Sequence, residues 1–246
     1  MELTVLGCSG TVPGPDSPAS GYLVEHEGFR LLLDLGQGAL GALQRFIRPE
    51  QVDGMLVSHL HPDHFIDMTG LATYLRWSPG RPYPRLPVLG PADTAARLSA
   101  AGGDSGRSGE LDELFDFRVP AAGELGPFRL EFARMRHPIA CDAVRISASG
   151  RSLVYSGDTG PTEALISLAR GADLLLCEAA LRPGESLPEL HLTARQAGEH
   201  ATAAGVERLI VTHVPPWNSR SQAVEEAALA FAGPVFAAEP DARYQV

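Results

Sequence analysis

Short apolar runs, each closed by a polar residue or a glycine, punctuate the chain from end to end. "LTVLG" (3–7), "GYLVEH" (21–26) and "RLLLDLG" (30–36) read as successive strands near the start, and "DGMLVSH" (53–59) as a strand ending at His59. "FRLEFARM" (128–135), "DAVRISAS" (142–149), "SLVYSGD" (152–158), "ADLLLCEA" (172–179) and "ERLIVTH" (207–213) give further strands. Between them, "QGALGALQRF" (37–46), "DMTGLATYLRW" (67–77), "TEALISLARG" (162–171) and "TARQAGEHATAAG" (193–205) read as helices. Thr193 and Gln196 have capping-box spacing, which fixes the start of the last helix and leaves His191 just outside it. Two Gly/Pro/Ser-rich stretches, Ser78 to Pro84 and Ala101 to Glu110, read as loop or lid. Strands in both halves with helices between them imply sheets covered by helices, a layered α/β fold. Several strand ends carry His or Asp, and loops at strand ends are where a rigid scaffold displays chemistry.

Composition narrows the setting. A chain of 246 residues fits one large domain or two small ones, and one domain over 1–246 is the expectation. With 44% hydrophobic residues, roughly 70–75% of the unfolded surface can be buried at this length. No run approaches the ~20 apolar residues of a membrane span, and the N-terminus begins as a strand with no signal-peptide pattern. Cys8, Cys141 and Cys177 are an odd number without close spacing, so the expected setting is the reducing cytoplasm, with each thiol buried. Net charge is −10, which disfavours a long polyanionic partner. Oligomeric state stays open, dimers being the commonest soluble assembly.

The chemistry concentrates in "SHLHPDHFID", with His59, His61, Asp63 and His64 inside six residues. Imidazole and carboxylate are the usual ligands of zinc and related divalent ions. After a strand, His59 and His61 can point to one spot and Asp63 and His64 to a neighbouring one, the arrangement two adjacent metals need. H-x-H-x-D-H after a strand resembles the metallo-β-lactamase superfamily, whose fold is a four-layer αββα sandwich with a dinuclear metal site at one edge. The resemblance covers nearly the whole chain. "RHPI" supplies His137, "YSGDTG" supplies Asp158, and "IVTHV" supplies His213. It implies His59, His61 and His137 on one metal, Asp63, His64 and His213 on the other, and Asp158 bridging. It also implies two divalent ions, zinc by default with manganese or iron suiting the same donors. Asp63 would double as the group that orients the attacking water.

His191 sorts the branches of that superfamily. "HLTARQAGEHATAAGVERLIVTH" is similar to the end of tRNase Z-type phosphodiesterases, in which a histidine here faces the scissile phosphate and protonates the leaving oxygen. Glu178 would orient this histidine. "GCSGTVPGPDSPASGYLV", "GALQR" and "THVPPW" resemble actinobacterial atypical class II cyclic-nucleotide phosphodiesterases, and in that reading Ser9, Gly10 and Thr11 line the mouth and offer N–H groups to a phosphate. The chain departs from tRNase Z in lacking a Gly/Pro-tipped arm and in carrying "CEAA" where that family has "HEA". The resemblance therefore implies a metal-dependent hydrolase of a small phosphodiester, 3′,5′-cyclic AMP first, by attack of a metal-bound hydroxide with His191 as general acid. The alternatives are a tRNA 3′-end endonuclease, a lactone, carboxyl-ester or sulfate-ester hydrolase, and a non-catalytic metal-binding regulator. His26 and His200 are read as structural, and Trp77, Tyr74 and Trp217 as packing aromatics.

Overall fold

A computed structural model describes residues 1–102 and 111–246. Most of the Ala101–Glu110 stretch expected to be loop or lid thus lies outside the described residues. The first half runs β1 (Glu2–Gly7), β2 (Gly21–His26), β3 (Phe29–Leu35), α1 (Ala39–Leu43), β4 (Gly54–Leu56), α2 (Pro62–Phe65), α3 (Met68–Trp77), β5 (Leu86–Leu89), α4 (Thr94–Ala101) and β6 (Phe115–Arg118). The second runs β7 (Gly123–Leu125), β8 (Phe128–Arg134), β9 (Asp142–Ala148), β10 (Arg151–Tyr155), α5 (Glu163–Ala169), β11 (Leu174–Glu178), α6 (Ala194–Ala204), β12 (Leu209–Thr212), α7 (Arg220–Ala228), β13 (Val235–Ala237) and β14 (Arg243–Gln245). The strands form two seven-stranded mixed sheets, ordered β14-β1-β2-β3-β4-β5-β6 and β13-β12-β11-β10-β9-β8-β7. In each, antiparallel hairpins give way to parallel strands, at β3–β4 in one sheet and β10–β11 in the other.

Side-chain alternation along the strands assigns the layers. Leu31 and Leu33 of β3 join Leu174 and Leu176 of β11 and Ile210 of β12 between the sheets. Leu32 faces the other way, toward Ala39, Leu43, Met68 and Leu71 of the helices on that side. Leu175 and Cys177 likewise turn outward to Leu165, Ala197, Ala201 and Ala227. Helix, sheet, sheet, helix is the αββα sandwich. Burying a Leu or Phe side chain is worth roughly 1.5–3 kcal/mol, so these three clusters hold the layers together.

α6 is built as its pattern predicts. The Thr193 hydroxyl accepts from the Gln196 N–H, Gln196 Oε1 accepts from the Thr193 N–H, and Gly205 closes the helix at φ +63°. Several predicted elements are shorter than expected, β4 and α1 the most. β4 stops at Leu56, because the Ser58 N–H and hydroxyl turn to the Asp34 carboxylate, both at 2.7 Å, instead of continuing a ladder. α1 covers only 39–43, starting after Gly38 at φ +83°. β5, α4, β6, β7, α7, β13 and β14 carry no clear apolar period and go unpredicted. No helix among the described residues is long and apolar enough to cross a membrane.

Candidate metal centre

The strand ends at one edge of the sandwich converge on a single cluster. His59 and His61 lie on extended backbone after β4. Pro62 then starts α2, its fixed φ suiting the first helical position, and the turn brings Asp63 and His64 back beside them. His137 follows β8, Asp158 follows β10, and His213 follows β12.

Two groups of donor atoms result. His59, His61, His137 and Asp158 form one, and Asp63, His64 and His213 the other, with all donor atoms of each group within 4.8 Å of one another. His61 Nδ1 lies 3.0 Å from His59 Nε2 and 3.2 Å from His137 Nε2. In the second group His213 Nε2 lies 3.2 Å from His64 Nε2 and 3.1 Å from Asp63 Oδ2. Asp158 stands between them, its Oδ2 3.6 Å from His59 Nε2 and its Oδ1 3.3 Å from His64 Nε2 and 3.5 Å from His213 Nε2. Ligand atoms about 2.0–2.1 Å from a tetrahedral ion lie about 3.3 Å apart, close to these spacings. Asp158 Oδ1 is moreover a buried carboxylate oxygen with no hydrogen-bond partner. A buried oxygen of this kind is costly unless a cation satisfies it. The His/Asp clusters therefore fit a divalent metal site.

Electrostatics agree. Burial, aided by neighbouring imidazoles, holds His59, His61 and His137 below their ordinary pKa, so each keeps a neutral nitrogen able to ligate. Burial opposes ionisation of Asp63 and Asp158, yet hydrogen bonds from His213 and His64 push Asp63, and the charge of His213, His64 and His59 pushes Asp158, well below the carboxylate range. Burial likewise disfavours a charged His64, but Asp158 and Asp34 raise it well above its usual value, marking a place that draws positive charge.

A second ring of buried groups orients these side chains. Asp34 was not anticipated. Its carboxylate is fully buried and accepts from His64 Nδ1 at 2.8 Å, the Tyr155 hydroxyl at 2.7 Å, and both Ser58 donors. A carboxylate behind a ligating imidazole fixes its tautomer and direction. The only signal was an acid inside the apolar run "RLLLDLG". Leu190 O accepts from His137 Nδ1 at 3.1 Å in the same manner. Asp34, Thr11 and His213 all sit at positive φ, +57°, +67° and +55°. Such backbone costs a side-chain-bearing residue on the order of 1–2 kcal/mol and persists where surrounding contacts enforce it.

His191 lies beside the cluster, its ring 5.4 Å from that of His213 and 5.9 Å from that of His137. Its Nδ1 is 3.0 Å from Glu178 Oε1. Glu178 is fully buried and also accepts from the N–H groups of Thr159 (2.7 Å), Ala180 (3.2 Å) and Leu192 (3.3 Å). Burial disfavours the imidazolium, but the charge and hydrogen bond of Glu178, with Asp158 beyond, raise His191 to about 9. Asp158, His191 and His213 also make a third compact donor group, so geometry alone permits His191 to ligate.

The loop after β1 touches the cluster through its backbone. The Thr11 N–H donates to Asp63 Oδ2 at 2.9 Å, and the Ser9 N–H donates to Pro18 O at 3.1 Å. A side chain at Gly10 would put Cβ 2.3 Å from His213 O, so only glycine allows this approach. Tyr74 is half-buried and donates to Glu50. Trp77 and Trp217, expected to pack, are instead 67% and 61% exposed, Trp77 as the last residue of α3 and Trp217 in the turn before α7. His26 contacts Ser149, and His200 bridges Thr162 N–H and Gln196 O, both structural positions.

Residues 29–214 match the model of the beta-lactamase superfamily domain. An uncharacterized protein of Mycobacterium leprae is 47% identical, the match covering 96% of this chain and 86% of that one. The probable metallo-hydrolase YhfI of Bacillus subtilis is 30% identical over 96% of both chains. The crystal structure of YhfI superposes with a TM-score of 0.88 over 99% of each chain, at 26% identity. A ribonuclease Z of Haloarcula marismortui is 28% identical, the match covering 97% of this chain and 94% of that one.

Proposed function

The chain belongs to the beta-lactamase superfamily as a metallo-hydrolase related to ribonuclease Z, and on that premise we propose that it hydrolyses a small phosphodiester, 3′,5′-cyclic AMP first. One observation carries the reading: His191, braced by a buried carboxylate, stands beside a cluster fit for two cations. In this assignment His59, His61 and His137 would hold one ion, Asp63, His64 and His213 the other, and Asp158 would serve both. Two divalent ions held there, zinc by default, would supply Lewis acidity that offsets phosphoryl charge and lowers the pKa of water.

The remaining steps belong to the protein. Asp63 orients the attacking water, its own carboxylate held by the Thr11 N–H. Glu178 takes the Nδ1 proton of His191 in a hydrogen bond, which leaves Nε2–H for the substrate. As the P–O bond breaks, that proton passes to the leaving alkoxide, a poor leaving group without it. Positioned general acids contribute typically 10²–10⁴-fold. The acidic chain, at −10, and its three buried free thiols suit a small substrate in a reducing compartment.

The ribonuclease Z relative favours a second reading, cleavage at a tRNA 3′ end. Metal-loaded protein assayed on cyclic AMP, bis-p-nitrophenyl phosphate and a precursor tRNA separates the two. Cyclic AMP turnover exceeding tRNA cleavage is expected; the reverse order selects the endonuclease. Hydrolysis of a lactone with no phosphodiester turned over sinks both. His191→Ala is expected to slow cyclic AMP hydrolysis at least a hundredfold with metal content unchanged. Loss of metal instead makes His191 a ligand.

A further inference from the structure

The segment carrying His191 crosses the rim of the cluster as a strap. Its base is pinned, Leu181 N–H donating to Leu192 O at 3.0 Å and Leu192 N–H to Glu178. Between these points residues 182–189 are all exposed. The strap touches the body again at its far end. Pro188 O lies against Gly160, where a Cβ would come within 1.7 Å, Leu190 O takes the His137 hydrogen bond, and Glu189 takes an ion pair from Arg136.

Arg136 is unusual in how it is held. Its backbone is fixed on both sides to the loop that carries Asp158: Gly160 N–H donates to Arg136 O at 2.8 Å, and Arg136 N–H to the Thr159 hydroxyl at 3.3 Å. Its side chain is 43% exposed and paired with Glu189, and it immediately precedes His137. The chain as a whole carries a net charge of −10. A monoanionic substrate approaching so acidic a chain gains from a cation beside the site.

We propose that Arg136 and Glu189 form an exchangeable latch: Glu189 occupies the Arg136 guanidinium in the free protein, and the phosphoryl group of the substrate displaces it. The proposal rests on the phosphodiesterase reading and names how that site recruits its anion. Glu189 is 71% exposed, so its carboxylate returns to water at little cost, and an exposed ion pair contributes little net stability to resist the exchange. A guanidinium offers two parallel N–H donors to phosphate oxygens, geometry that a carboxylate and a phosphoryl group share. Displacing Glu189 leaves the strap held at Pro188 and Leu190, while Glu178 keeps His191 in place. Glu189 thus acts as an internal competitor for the substrate's charge.

That competition gives the two partners opposite signs. Arg136→Gln, Arg136→Lys and Glu189→Gln are compared with the parent in zinc-loaded protein, reading KM and kcat on cyclic AMP and the Kd of inorganic phosphate by calorimetry. Arg136→Gln is expected to raise KM and the phosphate Kd about tenfold, with kcat changing less; Arg136→Lys should recover part of the loss. Glu189→Gln is expected to lower both by about threefold. If both neutral variants weaken phosphate, the pair is only a tether for the strap and the latch is wrong. A phosphate Kd within about twofold of the parent in both, or loss of zinc from Arg136→Gln, overturns it equally. The phosphate arm stands apart from catalysis. If the parent turns over no phosphodiester but the phosphate affinities move as stated, the latch holds and the phosphodiesterase reading falls.

Discussion

Replacing Glu178 by glutamine keeps its volume and removes its charge, and the structure sets the size of the consequence. A His191 pKa raised from an ordinary 6.5 to about 9 corresponds to roughly 3 kcal/mol of preference for the imidazolium in the folded protein. Because the folded value is the higher one, this stabilisation is complete below about pH 6.5 and disappears as pH rises through about 9. Loss of the carboxylate removes the strongest influence raising His191, and the imidazole is expected to return toward its ordinary value of about 6.5. At about pH 8 His191 is then roughly nine-tenths protonated in the parent and about one-thirtieth protonated in the variant; at about pH 6 both are mostly protonated. Glutamine also turns an amide toward two of the four donors that Glu178 satisfies, at a cost of about 1–3 kcal/mol for each buried N–H left unpaired. Histidine NMR of chelator-treated protein reads the titration directly, and thermal unfolding against pH reads the stability. In loaded enzyme the parent-to-variant ratio of kcat on cyclic AMP should likewise widen from pH 6 to pH 8, by about twentyfold where His191 keeps these pKa values. A ratio flat with pH, together with His191 titrating alike in both proteins, refutes the assigned role of Glu178.

Three further outcomes follow from the same geometry. Asp34→Asn turns an amide toward the His64, Tyr155 and Ser58 donors, so zinc affinity in a chelator competition should fall about 10–100-fold, with a lowered Tm. Asp158→Ala removes the carboxylate that reaches both donor groups; elemental analysis after dialysis should show both ions lost and activity gone, while circular dichroism retains the native strand and helix signal. Gly160→Ala drives a methyl into Pro188 O, and the strap must move; hydrogen exchange should rise over residues 182–190, and kcat should fall more than Tm.

The first donor residues were legible for a local reason. His59, His61, Asp63 and His64 lie within one turn, and a cluster so polar beside an apolar strand has few uses other than holding cations. The helix after His191 was legible too, since a capping box is a relation between residues three apart. Asp34 was hidden because its importance lies in partners 24, 30 and 121 positions away, Ser58, His64 and Tyr155. The shortened β4 has the same origin, because its ladder yields to that distant carboxylate. The short strands β5, β6, β13 and β14 are too brief to show a period, and their pairing partners make them strands.

By itself the sequence determined the apolar rhythm that layers two sheets between helices, and the identity and order of the donors, because these depend on residue type and short spacing. Only the tertiary structure decided that His137, Asp158 and His213 meet the first cluster with donor atoms about 3–4 Å apart. It also decided that Glu178 braces His191, and that Arg136 pairs with Glu189 across the strap. Charge and hydrogen bonding act through space, and the chain separations involved, from 13 to 150 residues, leave no trace in local pattern.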